Sequence, residues 1–229
     1  DGTAYANLRR PAGIARPPYV VIIPGLDSTK EEFYFFEQSF LDRGMATISL
    51  DGPGQGETGL VIPIRHDYEI AVHPLLDLLA RRSDLDHDRI GLAGVSLGGY
   101  YAPRVAAFES RLKAVVGISG PFCFGDMWAD LPPMTRQTFV VKSGAKDDAD
   151  GHRLANTLDL AGVCAKIEIP ALYITGAKDR LIPWQQTERQ AAETRLGEFV
   201  CFPEGNHGVS NLPSKARPAI GDWMADHLQ

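Results

Sequence analysis

The chain has 229 residues, 44% hydrophobic and 23% charged, which is the balance of an ordinary globular protein and excludes intrinsic disorder, a collagen-like repeat and a disulfide scaffold. Lys and Arg number 23 against 29 Asp and Glu, a net charge of −6, and no basic block of five or more occurs, so a nucleic-acid partner is not expected. No apolar run approaches the ~20 residues that span a bilayer, so no membrane partner is expected either.

Read in chain order, short apolar runs alternate with longer amphipathic ones. Thr3–Leu8 and Tyr19–Ile23 read as strands, followed by a helix over Glu31–Arg43 and a strand over Ala46–Leu50. A helix over Tyr68–Arg82 precedes the strand Ile90–Val95, the helix Leu97–Glu109 and the strand Ala114–Ile118. Arg153–Leu160 reads as a helix, Ala171–Thr175 as a strand, Gln185–Leu196 as a helix, Phe199–Phe202 as a strand and Ala216–His227 as the last helix. Such alternation, with β-branched strands, predicts an α/β fold: a mostly parallel sheet with helices on both faces. Chemistry is then expected in the loops at the carboxyl ends of the strands. The whole chain, 1–229, reads as one domain, and Gly120 to Pro170 is longer than one crossover requires, so about 121–169 is expected to be a cap-like insertion over that edge.

Asp88–Tyr100 carries the strongest local signal. An apolar strand runs directly into Gly94-Val95-Ser96-Leu97-Gly98 and then into a helix-compatible segment. A serine at a sharp strand-to-helix turn needs neighbours without side chains two residues to either side, and Gly94 and Gly98 supply them. The turn would expose the Ser96 hydroxyl and aim the amides of the helix start at developing negative charge.

A serine is a weak nucleophile without a base oriented by a third group. His73 and His227 fall within helices, His87 in a polar turn, and His66 and His152 in loop or insertion, whereas His207 follows the last strand in a Gly-bounded loop. For the orienting acid, Asp179 closes the turn after Ala171–Thr175; Glu204, three residues before His207, is the rival, and no strand delivers Asp147 or Asp148 to the edge. Ser96, Asp179 and His207 stand in the order this motif requires. The Leu97 amide is one expected oxyanion donor, and the Leu26 amide, after Gly25, is the other. Asp51-Gly52-Pro53-Gly54-Gln55-Gly56-Glu57 lacks the Gly-Lys-Ser/Thr of a phosphate loop and is expected to shape the floor of the site. Phe122, Phe124, Met127 and Trp128 could form an apolar substrate wall, with Asp126 as a polar contact; the alternative is that these aromatics pack the insertion onto the body.

No His, Cys or Asp grouping has metal-ligand spacing, so no cofactor is expected. The three cysteines, Cys123, Cys164 and Cys201, read as reduced thiols. The chain opens without a signal peptide and without Met, so a cytoplasmic fragment of a longer protein is the expectation. Its partner would be a small-molecule substrate, with a homodimer left open.

Several stretches together resemble the α/β-hydrolase superfamily over nearly the whole chain. They are Val21-Ile22-Ile23-Pro24-Gly25-Leu26-Asp27-Ser28, Asp51-Gly52-Pro53-Gly54-Gln55-Gly56, Gly94-Val95-Ser96-Leu97-Gly98-Gly99-Tyr100-Tyr101-Ala102-Pro103-Arg104 and Ser119-Gly120-Pro121-Phe122. The wording is similar to the 2,6-dihydroxypseudooxynicotine hydrolase group and its fungal polyketide-shortening relatives. That resemblance implies cleavage of a carbon–carbon bond beside a ketone by serine, aspartate and histidine, and a helical N-terminal region, which is expected to be absent from this sequence. Two other readings use the same residues: a carboxylesterase, and a catalytically silent binding protein on the same fold.

Overall fold

A computed structural model describes residues 2–228. Seven strands form one sheet in the order β1-β3-β2-β4-β5-β6-β7. They are β1 (Tyr5–Arg9), β2 (Tyr19–Ile23), β3 (Ala46–Asp51), β4 (Ile90–Val95), β5 (Leu112–Ile118), β6 (Ala171–Gly176) and β7 (Gly197–Phe202). Only β1, at one edge, runs antiparallel to its neighbour; every other pairing is parallel. All five residues of β2 are buried, as a strand covered on both faces must be.

The helices are α1 (Tyr34–Leu41), α2 (Glu69–Leu79), α3 (Leu97–Ala106), α4 (Pro133–Ser143), α5 (Asp148–Ala155), α6 (Trp184–Glu193) and α7 (Pro213–His227). Residues i and i+1 of a strand face opposite sides, so β2 serves two cores. Val21 and Ile23 pack with Val72 of α2, Tyr100 and Val105 of α3 and Ala191 of α6. Val20 and Ile22 pack with Phe40 of α1 and Ile220 and Met224 of α7.

The structure departs from the expected elements mainly between β5 and β6. One helix is expected there over Arg153–Leu160; two are present, and the second ends at Ala155. Pro133 is the first residue of α4, where a missing N–H costs nothing. The helix stops at Gly144, which takes the left-handed conformation at φ 70°. The acidic cluster Asp147-Asp148-Asp150 is a helix start: the Asp147 carboxylate accepts from the Asp150 amide and caps α5. Elsewhere the differences lie at the ends. Glu31–Arg43, for example, divides into a 3₁₀ turn, Lys30–Phe33, followed by α1.

Chain order after β2 runs outward to β3 and then crosses back to β4 on the other side of β2. The loops after β2 and β4, which carry Leu26 and Ser96, therefore flank the switch point of the sheet. In open α/β sheets this is where a crevice forms.

Candidate active site

The turn between β4 and α3 holds Ser96 at φ 59°, ψ −122°, a region that side chains other than glycine seldom occupy. Close packing enforces it: a Cβ on Gly94 would collide with the Gly98 carbonyl, and one on Gly98 with the Ile23 carbonyl. The Ser96 side chain caps no helix amide. It lines instead a cavity of about 320 Å³ together with Gly25, Leu26, Leu181, Ile182 and His207.

His207 follows β7, and its Nδ1 lies 2.8 Å from Asp179 Oδ2. An ionised carboxylate can only accept, so Nδ1 carries the proton and Nε2 is left as the base. The other oxygen of Asp179 accepts from the amides of Leu181 and Ile182 at 2.9 and 3.0 Å. Burial alone would raise the Asp179 pKa, but the hydrogen bond and charge of His207, with those two amides, hold it below the ordinary carboxylate value. The rival acid, Glu204, points away: its side chain is 70% exposed and paired with Lys178.

Leu97 is the first residue of α3, so its amide has no partner within the helix. Gly25 packs on the nucleophile turn: a Cβ there would be 3.1 Å from Ser96 Cβ. This brings the Leu26 loop against Ser96. The geometry thus assembles Ser96 and Leu97, Leu26, Asp179 and His207 from four loops, those after β4, β2, β6 and β7.

The expected substrate wall is placed differently. Trp128 is 4% exposed, stacks on His152, meets Phe139 edge-on, and donates its indole N–H to Asp148. Phe122 is fully buried beneath the Arg189 guanidinium, 3.8 Å from its ring centroid. Asp126 is exposed. None of the three lines the cavity; Phe124, Leu131 and Thr135 do. The physical reason is the unforeseen α4–α5 pair, whose hairpin needs a core of its own and takes Trp128 into it.

His66 is exposed, and the remaining four histidines have structural partners. His73 contacts the Phe108 carbonyl, His87 the Tyr19 hydroxyl, His152 the Gly125 carbonyl and His227 the Trp223 carbonyl. All three cysteines are free thiols, and burial pushes Cys164 up to about 12. Among the described residues no group of three or more His, Cys, Asp or Glu converges as a metal site, and no helix is long and apolar enough to cross a membrane. A second groove, of about 500 Å³, lies between β1 and α2, but Leu50, Ile62, Leu75 and their neighbours offer it no carboxylate, histidine or lysine.

Comparison with known proteins agrees with this fold. Residues 20–219 match the model of the alpha/beta hydrolase family. The chain belongs to that family. It is 35% identical over 224 residues to the 2,6-dihydropseudooxynicotine hydrolase of Paenarthrobacter nicotinovorans, covering 96% of this chain and 60% of that protein. It is 42% identical over 111 residues to the 20-hydroxy-prefusarin hydrolase of Gibberella moniliformis, covering 45% of this chain and 26% of the relative. The crystal structure of 2,6-dihydroxy-pseudo-oxynicotine hydrolase superposes with a TM-score of 0.93 at 32% identity, over 98% of this chain and 64% of that one. The chain thus spans less than two thirds of these relatives. Est1E from Butyrivibrio proteoclasticus, with a TM-score of 0.78 at 17% identity, shares the fold.

Two side chains escaped the sequence reading. Gln55 is buried in the Gly-rich loop after β3, and its amide nitrogen donates to the Pro24 carbonyl at 2.6 Å. Ser119, at the end of β5, is fully buried at φ 47° and its Oγ accepts from the Gly208 amide. Both lie in the stretches that carry the family resemblance, and that was the available signal.

Proposed function

We propose that this chain is a serine hydrolase in which Ser96 attacks a carbonyl carbon. The observation that carries the reading is the 2.8 Å contact of His207 with buried Asp179, which frees Nε2 beside a cavity that also holds Ser96 on its strained turn. Nε2 takes the Ser96 proton as Oγ bonds to carbon, and the oxyanion rests on the Leu26 and Leu97 amides. Asp179 holds the imidazole in the tautomer that can accept, and stabilises the imidazolium once formed.

The finer reading is cleavage of a carbon–carbon bond beside a ketone, in a conjugated or aromatic diketone-like substrate. Collapse of the tetrahedral adduct would break that bond. The electron pair would delocalise into the second carbonyl or the ring, and the imidazolium would protonate the departing carbon. Water, activated by His207, would then release the acyl group from Ser96 as a carboxylic acid. The reading is supported by the extent of the match to the pseudooxynicotine hydrolase and by the apolar wall that Phe124, Leu131 and Ile182 offer a flat substrate.

Steady-state kinetics on aryl β-diketones against short p-nitrophenyl esters test it. The diketones are expected to give kcat/KM values comparable to or above those of the esters. An ester advantage of more than ~100-fold, about 2.7 kcal/mol of barrier, assigns the chain as a carboxylesterase. No turnover of either class, with no acylation of Ser96, assigns it as a silent binding protein.

A further inference from the structure

The segment between β5 and β6 reaches the reaction centre at one point that the chemistry above does not use. Lys142, in the last turn of α4, donates from Nζ to the Leu26 carbonyl at 2.7 Å, across 116 residues of sequence. The Lys142 carbonyl in turn accepts from the Ile64 amide at 2.9 Å, so this turn of α4 is anchored to the body on its other side.

The loop that Lys142 grips is held from below as well. Gln55 Nε2 donates to the Pro24 carbonyl at 2.6 Å and lies 3.4 Å from the Gly25 carbonyl. The Gln55 amide has only one orientation consistent with its neighbours. Tyr68, fully buried and with its phenol pushed well above the ordinary value by that burial, stays protonated and donates to Gln55 Oε1 at 2.5 Å, as the Gly52 amide does at 3.2 Å. Oε1 is therefore the acceptor and Nε2 the donor.

These bonds fall on successive peptide planes. Gly25 C=O and Leu26 N–H belong to one rigid trans peptide, so a donor on the carbonyl fixes the direction of the N–H at its opposite side. Leu26 C=O belongs to the next peptide. Gln55 holds the Pro24 carbonyl one plane earlier and makes a longer contact with the Gly25 carbonyl, and Lys142 holds the Leu26 carbonyl, so the backbone is restrained on both sides of Leu26, beside a glycine already packed on Ser96.

We propose that Lys142 is a positioning residue: it ties α4 to the oxyanion loop and, with Gln55, holds the Leu26 amide aimed at the oxyanion formed by Ser96. The inference rests on Ser96 being the nucleophile. It makes the β5–β6 segment part of the apparatus that sets transition-state binding, in addition to forming cavity wall. Loss of the Lys142 bond should free the Leu26–Asp27 peptide and with it the backbone torsions of Leu26, so that the Leu26 N–H on the preceding plane loses one of its two anchors and drifts from the oxyanion, while the apolar wall that binds the ground state stays intact.

The test compares wild type, Lys142→Met and Lys142→Arg, using p-nitrophenyl acetate turnover, the rate of fluorophosphonate labelling of Ser96, and ¹⁵N amide spectra. Lys142→Met is expected to lower kcat and the labelling rate about 10- to 100-fold, less than or equal to outright loss of an oxyanion donor, with KM within about twofold. Lys142→Arg, which keeps a cationic donor, is expected to stay within about threefold of wild type. The Leu26 and Asp27 amide resonances should move in Lys142→Met while those of the sheet do not. A kcat and labelling rate within twofold of wild type in Lys142→Met, a loss confined to KM, or a loss that Lys142→Arg does not restore would overturn the proposal. If wild type itself neither labels nor turns over, the nucleophile assignment fails separately, and the amide spectra decide: movement at Leu26 and Asp27 supports positioning by Lys142, and unmoved resonances overturn it.

Discussion

The Gly208 amide donates to Ser119 Oγ at 3.0 Å, tying the loop that carries His207 to the end of β5. Ser119 holds this place at φ 47°, a left-handed conformation that costs a side chain roughly 1–2 kcal/mol and that glycine adopts freely. The hydroxyl and the backbone therefore make opposite demands on the residue.

Ser119→Gly separates those demands. Relief of backbone strain offsets the lost hydrogen bond, so the melting temperature should stay within about 4 °C of wild type. Turnover should fall about tenfold, because the histidine loop loses its tether while KM is unchanged. A variant as active as wild type would show that the Ser119–Gly208 bond has no bearing on His207.

Asp179→Asn should lower kcat about 10⁴-fold, since an amide can donate to Nδ1 and so favours the wrong imidazole tautomer. Glu204→Gln, which disturbs only an exposed ion pair with Lys178, should lose less than about twofold. The reverse ranking in a steady-state comparison would reassign the acid.

Acid stability follows from the same carboxylate. Asp179 has a folded-state pKa depressed below 3.8, so the folded state holds its proton less tightly than the unfolded chain does. Its contribution to stability is fully present above the ordinary carboxylate value and is lost as pH falls through the depressed one. Urea midpoints measured from pH 7 down to pH 3 should therefore fall more steeply for wild type than for Asp179→Asn in the acid range. Parallel curves would mean that Asp179 is not stabilised as the anion.

Trp128 and Leu131 should respond oppositely to truncation. Trp128→Ala removes a buried ring stacked on His152 and is expected to cost about 3–5 kcal/mol of stability with no change in the ratio of kcat/KM between bulky and small acyl substrates. Leu131→Ala opens the cavity beside Ser96 and should change that ratio about tenfold. Selectivity that follows Trp128 instead would place the substrate within the α4–α5 core.

The contrast between these two residues marks where sequence stops being informative. Five-residue buried strands such as Tyr19–Ile23, and glycines set two residues to either side of Ser96, express local rules of period and sterics, and the sheet and the serine turn were legible from them. The pairing of His207 with Asp179 followed from strand-end placement. The α4–α5 pair was not legible, because a proline at a helix start and a proline that breaks a helix look alike in sequence, and the Asp147 cap read only as an acidic cluster. With that pair unseen, Trp128 could not be assigned to a packed interior, nor Lys142 brought to Leu26 from 116 residues away. Gln55 and Ser119 were visible as parts of motifs but act through main-chain groups of other loops, which no local pattern records.

The central claim is that Ser96 is a nucleophile activated by His207. Peptide mass spectrometry after incubation with a fluorophosphonate tests it most directly, on wild type, Ser96→Ala and His207→Ala. The expected result is a single adduct on the peptide bearing Ser96 in wild type, none in Ser96→Ala, and labelling slowed by at least about 10³-fold in His207→Ala. An adduct on any other residue, or equal labelling with and without His207, would contradict the account.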